Sequence, residues 1–371
     1  MSNFFRIFTK SIGLIIVITA AFLLLCAFLT SYIESDKPWV LTAGLIMPIL
    51  YIINIVIFLY LIIKSKYILS IIPLAALLLT FTTATSMYGI NLFKRYDDSK
   101  YKIKILTYNT HGYRDTDFKL KFDEMMNELD SISADILFLQ EFSATKVLSL
   151  DSIQSRLPKY KYIHLHISDS TSTTQTTGSG IAILSRYPLI NQVNIDFEDT
   201  SNRFMVSNAI IGSDTLTLIN VHLQSTGVNI TDANNLRNIQ DSLSLLKDTA
   251  VYKNTLIPLY EKLLVSNSKR RTQTDKVAKF ITSSKHPVIL CGDFNSVPSS
   301  YTYRCFTSRH GLKDPFLRFG VGYEATYKLF KELLRIDYIL HSEDYTSVSF
   351  NVPHLKYSDH YPVYTELTKK K

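Results

Sequence analysis

Charged residues are spaced very unevenly along the 371-residue chain. None occurs between Lys10 and Glu34, between Lys37 and Lys64, or between Lys66 and Lys94. Each gap exceeds the roughly 20 apolar residues that cross a bilayer. The pattern predicts a membrane anchor over residues 1–95, with spans at about 11–33, 39–63 and 67–92. The first gap is longer than the apolar core of a cleaved signal and lacks a clear small-residue cleavage site. Pro73 interrupts the third, and Thr80, Thr82, Thr83, Thr85 and Ser86 dilute it; a bundle tolerates such residues where neighbouring carbonyls accept their hydroxyls. Arg6 and Lys10 before the first span, with Lys64 and Lys66 after the second, predict a cytoplasmic N-terminus and an extracytoplasmic C-terminal domain, although Lys94 and Arg95 pull the other way. No ionisable side chain lies within the spans, which predicts an anchor and not an ion path.

From Tyr101 the pattern changes to short apolar runs. Ile103, Ile105 and Leu106, with Lys102 and Lys104 between them, predict a strand ending at Tyr108. Phe118, Phe122, Met125, Met126 and Leu129 predict a helix, and Ile136–Leu139 a buried strand. Further strands are predicted at Ile181–Leu184, Met205–Ile211, Leu216–Val221, Val288–Leu290 and Ile336–Leu340. Leu236, Ile239, Leu243, Leu246, Leu256, Leu259 and Leu263 predict a helical excursion at about 226–285. The Ser/Thr/Gly-rich stretch Ser168–Gly180 reads as a mobile loop. Many strands with few long helices imply a layered α/β domain over 101–371.

The formal charge of +8 changes this picture little. Residues 1–100 carry 8 basic and 4 acidic side chains, and residues 101–371 carry 32 and 28. A soluble part with so even a balance lacks the clustered Lys/Arg footprint of a nucleic-acid binder. Three cysteines, Cys26, Cys291 and Cys305, form neither a disulfide framework nor CxxC metal spacing; Cys26 and Cys291 read as small buried hydrophobes.

Candidate chemistry collects at strand ends. Asn109 follows the first strand, Gln140 and Glu141 the second, Asn220 and His222 end a third, Asp293 and Asn295 a fourth. Asp337 lies in a fifth, and Asp359 and His360 come near the C-terminus. Singly, each has a structural reading, because Asn and Asp end strands and begin turns. Together they form an oxygen-rich, histidine-containing set without a cysteine ligand, which suits a hard cation such as Mg²⁺ and a phosphate ester. A serine-hydrolase reading fails, because Gly178-Ser179-Gly180 lacks the Gly-x-Ser-x-Gly spacing and precedes a strand.

Seven stretches then occur in a telling order: Thr-Tyr-Asn at 107–109, Gln-Glu at 140–141, Ser-Gly-Ile-Ala-Ile-Leu-Ser-Arg-Tyr-Pro at 179–188, Asn-Val-His-Leu at 220–223, Gly-Asp-Phe-Asn at 292–295, Arg-Ile-Asp-Tyr-Ile-Leu at 335–340, and Ser-Asp-His-Tyr-Pro-Val at 358–363. In this series the chain resembles the endonuclease/exonuclease/phosphatase superfamily, the deoxyribonuclease-I-like fold, over essentially all of 101–371. The resemblance implies a four-layer α/β sandwich, here preceded by three transmembrane helices. It implies a metal pocket of Asn109, Glu141 and Asp359 holding Mg²⁺ or Mn²⁺. It places Asp293 and Asn295 on the attacking water and phosphate, His360 on the water or phosphate, Asp337 behind His360, and His222 facing the phosphate. Arg186 and Tyr187 belong to a turn of this family and read as structural. His164, His166, His286, His310, His341 and His354 match no motif and read as surface or packing histidines.

The function expected is a membrane-tethered, metal-dependent hydrolase cleaving a phosphoester by in-line attack of water, with lipid head groups as the favoured substrate and the bilayer as a partner. An endonuclease or exonuclease acting on DNA or RNA is the alternative within the enzyme class. A catalytically silent membrane scaffold is the rival outside it; silent relatives lose a metal or histidine position, and none is missing here. No motif points to a protein partner.

Overall fold

The uncharged gaps fold as helices. In the computed structural model these are α1 (Ser2–Tyr32), α2 (Pro38–Ile63), α3 (Tyr67–Leu79) and α4 (Phe81–Met87). The structure describes residues 2–32, 38–91, 102–144, 150–167, 178–198, 200–227, 232 and 252–370. The chain divides into two compact units, Met1–Gly89 with Pro298–Tyr301, and Ile90–Val297 with Thr302–Lys371.

In the helical unit, α1 and α2 are long and apolar enough to cross a membrane, through Gly13–Thr30 and Thr42–Ile63. The third expected span is not one helix. It stops at Leu79 after 13 residues and resumes as the 7-residue α4. The hydroxyl of Thr80 donates to Ala76 O at 2.8 Å, and such local bonds compete with the helical ladder in this threonine-rich stretch. Ala20, Ala27, Ala43, Ala76 and Ala84 pack between the helices together with Leu23, Met47, Leu50 and Leu77, while Ile18, Ile52, Ile63, Ile68 and Leu79 are exposed. So many exposed large aliphatic side chains depart from a helix bundle in water.

The second unit holds two facing sheets. One has six strands in the order β10-β11-β1-β2-β4-β3: β1 (Ile103–Asn109), β2 (Ile136–Ala144), β3 (Tyr162–Ile167), β4 (Gly178–Ser185), β10 (Tyr345–Asn351) and β11 (Val363–Lys369). The other has five in the order β9-β8-β7-β6-β5: β5 (Leu189–Asp196), β6 (Arg203–Ile211), β7 (Asp214–His222), β8 (Val288–Asp293) and β9 (Asp337–His341). Gly178–Gly180, expected in a loop, begin β4; residues 168–177 lie outside the described ones.

Strand alternation builds the layers. Ile105, Ile136, Phe138, Ile183, Met205, Leu218, Ile289 and Cys291 meet between the sheets. Their neighbours Leu106, Leu137 and Leu184 face outward onto α5 (Phe122–Ile132) and α6 (Leu150–Arg156). A sheet covered on both faces reads as a continuous apolar run, which is why these strands show no clean alternation of polar residues. Val277, Ala278 and Ile281 of α7 (Ile257–Ser283) are buried, and Phe280 packs edge-on against Phe204 of β6. All three cysteines are buried, and none forms a disulfide.

Of the predicted helical excursion, Leu236, Ile239, Leu243 and Leu246 fall outside the described residues. Leu259 and Leu263 do lie in α7, but its buried face is Ser266, Asn267, Arg270, Gln273 and Thr274, continuing into the apolar turn at Val277. The helix predicted from Phe118 begins instead at Phe122; Phe118 is in a loop at φ 62°.

Candidate active site

Each sheet contains one parallel pair, β1 with β2 and β7 with β8. A parallel pair needs a crossover, and α5 and α7 lie in the two connections. The C-terminal ends of both pairs converge, so Asn109, Glu141, His222 and Asp293 meet at one end of the sandwich. The antiparallel strand β9 starts there with Asp337 opposite Asp293. Asp359 and His360 precede β11, antiparallel to β1, and arrive at the same end.

Two local devices make the convergence work. Successive strand residues point to opposite faces, yet Gln140 and Glu141 both reach the other sheet. The β2–β4 register shifts between Leu139 and Phe142, and Glu141 adopts φ 48°, which turns its side chain back toward the site. Gly292 serves β8. Its φ is +140°, and a Cβ there would lie 1.9 Å from Val221 O, so only glycine lets β7 and β8 close and set Asp293 opposite His222.

Asn109 is the hub. Its Nδ2 donates to Glu141 Oε1 at 3.1 Å and to Asp293 Oδ2 at 3.0 Å, while its Oδ1 accepts the His111 N–H at 3.0 Å. Asp293 Oδ1 accepts the backbone N–H of Asn295 at 2.8 Å, and Asn295 Nδ2 donates to Leu223 O at 3.0 Å. His222 Nε2 stands 3.8 Å from both Glu141 Oε1 and Asp293 Oδ2. His360 Nδ1 bonds Asp337 Oδ2 at 2.9 Å, leaving Nε2 3.8 Å from Asp293 Oδ2. The structure therefore brings Asn109, Glu141, His222, Asp293, Asn295, Asp337 and His360 together. Asp359 joins them through Ser358, whose hydroxyl bonds Asn109 O at 2.8 Å and Asp359 Oδ1 at 3.3 Å.

Burial and neighbouring charge set the protonation states. Burial, with the Asp337 carboxylate nearby, lifts Asp293 to about 6 against the pull of His360 and His222. Burial alone would lower His360, but Asp337 and Asp293 outweigh it and raise the imidazole to about 10. Burial also works to raise Glu141, yet His222 and the Asn109 amide prevail and hold it below the usual carboxylate range. At neutral pH the site thus holds an imidazolium pinned to Asp337 beside a carboxylate poised to take a proton.

Among the described residues, one set of three His, Cys, Asp or Glu side chains brings its ligand atoms within 4.8 Å of one another: Asp293, Asp337 and His360. A protonated, Asp337-bound imidazole is a hydrogen-bond donor and not a metal ligand. Glu141 and Asp359 are better suited to a hard cation. Both are carboxylates in reach of solvent, 34% and 18% exposed, and Mg²⁺ needs only one or two carboxylates because it keeps several waters. Asn109 turns its amide nitrogen toward both carboxylates and its oxygen toward the His111 N–H, so it bridges Glu141 and Asp293.

Not every polar strand-end residue faces the site. Asn220 donates to Leu139 O at 3.0 Å and Ala182 O at 2.9 Å and accepts from Gln140 at 2.7 Å, tying one sheet to the other. Arg186 bonds Asp135 and Ser133, and Tyr187 packs on the inter-sheet core. His164, His166 and His341 are buried in the sheets, while His286 and His354 are exposed.

Several residues of the site carry little sequence signal. Tyr327 lays its ring 4.7 Å from that of His360, and burial with Asp359, Asp293 and Glu141 pushes its hydroxyl up. His111 sits 3.6 Å from Asp359. Gln273 and Arg270 of α7 hold both backbone groups of Gln224: Gln273 Oε1 accepts its N–H at 2.8 Å, and Arg270 Nη1 donates to its carbonyl at 2.7 Å. The adjoining Leu223 donates to Asp293 O at 3.0 Å and accepts from Asn295, so α7 steadies the floor of the site.

Two family models match the chain. The model of the Endonuclease/Exonuclease/phosphatase family matches residues 106–360, and a family described as a domain of unknown function matches residues 7–87. No curated protein matches the chain. Among solved structures, an endonuclease/exonuclease/phosphatase from Beutenbergia cavernae superposes with a TM-score of 0.51 at 14% identity, over 72% of each chain. The catalytic domain of human nocturnin, with a bound sulfate anion, superposes with a TM-score of 0.50 at 15% identity, over 76% of this chain and all (100%) of its own. These likenesses are of fold. With the family match spanning well over half of the sequence, the chain belongs to the Endonuclease/Exonuclease/phosphatase family, whose members are metal-dependent hydrolases of phosphoester bonds.

Proposed function

We propose that the chain is a membrane-tethered phosphodiesterase that hydrolyses lipid-linked phosphate esters with Mg²⁺ or Mn²⁺. The observation that carries the hydrolytic part is the placement of Asp293, fixed on both oxygens by Asn109 and the Asn295 N–H, with two histidines 3.8 Å away. Asp293, lifted to about 6, is matched to accept a proton from water near neutral pH. His360, held as imidazolium by Asp337, donates from Nε2 to a phosphate oxygen, so negative charge on the phosphoryl oxygens in the transition state is met without reorganisation. His222 faces the same space from the other flank. Glu141 and Asp359 would hold the cation, which when bound stabilises negative charge on the phosphate.

The lipid preference rests on two supports. Residues 13–30 and 42–63 are helices long and apolar enough for a bilayer, and the outward-facing isoleucines of that unit suit hydrocarbon. The balanced charge of 101–371 gives no basic footprint for a nucleic-acid backbone. We place the catalytic unit on the extracytoplasmic side.

The test is a substrate panel for the full chain in detergent: duplex and single-stranded DNA, RNA, sphingomyelin, phosphoinositides and simple phosphodiesters, each with Mg²⁺ and with EDTA. Lipid diester cleavage that stops in EDTA and in Asp293→Ala and His360→Ala is expected. Equal rates in the parent and both variants would sink the hydrolase reading, and activity confined to DNA would overturn the lipid one.

A further inference from the structure

Phe118 has the spacing of a core residue and none of its surroundings. It lies four positions before Phe122, yet it is 61% exposed. Nor does it dangle. The Asp115 carboxylate accepts the N–H groups of Asp117 and Lys119, both at 2.9 Å, and the Asp115 carbonyl accepts that of Phe118 at 3.0 Å. At the base of the loop Lys121 N bonds Tyr113 O at 2.7 Å, and the Tyr113 ring is buried edge-on against Phe122 and Phe142. His111, Tyr113 and Phe118 all sit at left-handed φ, 48°, 62° and 62°, which side chains other than glycine rarely adopt without cost. The outcome is a fixed loop holding an apolar ring in the open, 5.4 Å from the His111 ring, which itself borders Asp359.

We propose that this loop is the specificity wall of the site: Phe118, backed by His111, receives the hydrocarbon that adjoins the scissile phosphodiester of a membrane lipid. Core packing does not explain so exposed a ring, and no helix requires its backbone. Its place beside His111, which in turn borders the Asp359 carboxylate, does. Leu120, two residues on in the same loop, is 56% exposed and offers a second, aliphatic side chain, which mixes with acyl chains but stacks on no base. The inference rests on the lipid reading of the preceding section and assigns its recognition to particular residues.

The test uses the full chain in mixed micelles of detergent and sphingomyelin, with bis(p-nitrophenyl) phosphate as the water-soluble comparison. Phe118→Ala is expected to raise KM for the lipid about tenfold, the worth of a partly buried phenyl group, and to lower the lipid-to-soluble ratio of kcat/KM by the same factor. Phe118→Leu is expected to restore most of the loss, because it keeps apolar volume without a ring plane. A ratio that does not move in Phe118→Ala overturns the proposal. So does a Leu variant as impaired as the Ala variant, with a raised KM for oligonucleotide, which would mark a base-stacking ring. A parent that cleaves the soluble diester but no lipid fails at the earlier step and refutes the lipid reading itself.

Discussion

Asp337→Asn separates the electrostatic part of the site from its shape. The side chain is 1% exposed and its Oδ2 lies 2.9 Å from His360 Nδ1, so an amide fits the same space while removing the charge. An imidazole moved from its ordinary value near 6.5 to about 10 is favoured in its charged form by about 5 kcal/mol, most of it owed to Asp337 and Asp293 against the opposing effect of burial. Without Asp337 the desolvation of a 6%-exposed ring is opposed only by Asp293 and, more weakly, Asp359, and the imidazole falls back toward 6.5. In a pH-rate profile on bis(p-nitrophenyl) phosphate, the parent should rise through about 6 as Asp293 ionises and fall only near 10. In Asp337→Asn the alkaline limb should move down by two or more pH units, with a loss at neutral pH on the order of 10²-fold or more, as when an orienting carboxylate is removed from a catalytic histidine. The linked effect on stability has a definite sign. His360 is raised in the folded state, so its contribution is full below about 6.5 and is lost as pH climbs toward 10. The Tm gap between parent and variant should therefore shrink across that window. An alkaline limb that stays near 10 in the variant would refute the assignment of the proton to His360.

Three further outcomes follow from particular contacts. His164 is buried against Ser207 and burial lowers it to about 4, so the unfolded chain takes up the proton first; stability should fall by about 3 kcal/mol as pH drops from about 6.5 to about 4, and a Tm series should show a smaller loss in His164→Gln. Asp314 pairs with the buried Arg335 at 2.8 Å, and Arg335 is sandwiched by Phe316 and Tyr338. Asp314→Ala should cost about 3–5 kcal/mol by stranding the guanidinium, and adding Arg335→Met should recover most of the lost Tm. Gln273→Ala should lower kcat about tenfold with KM little changed, because it frees the Gln224 backbone and, through Leu223, the Asn295 amide; recovery in Gln273→Glu, which keeps an acceptor oxygen, would distinguish this from general loosening.

The strands that carry the site were legible because they are buried on both faces and carry amide, carboxylate or imidazole residues where their apolar runs stop. β1, β2, β7 and β8 read as short apolar runs closed by Asn109, Glu141, His222 and Asp293. The strands missed lie mostly toward the outside. β5 is half to fully exposed along Leu189–Asp196, and β3 begins with an exposed Tyr162, so neither presents a run that stands out from a loop. Gln140 and Asn220 looked as much like site residues as Glu141 and His222, since all four are polar strand-end residues. Only the register shows that the first two bond each other across the sheets.

Phe118 marks a deeper limit. Its spacing from Phe122 fits a helix, and periodicity says nothing about the Asp115 carboxylate that fixes the chain in another shape. The same holds for Glu141 and Asn295. Of the nine non-glycine residues at positive φ among those described, His111, Tyr113, Phe118, Glu141 and Asn295 all lie at or beside the site. Each turns a side chain that regular strand or helix geometry would send elsewhere: Glu141 back across the bulge, Asn295 under Asp293, Phe118 out over His111. Backbone strain persists only where the surrounding packing over-determines it. Propensity therefore registers such positions as noise, although together they aim the chemistry.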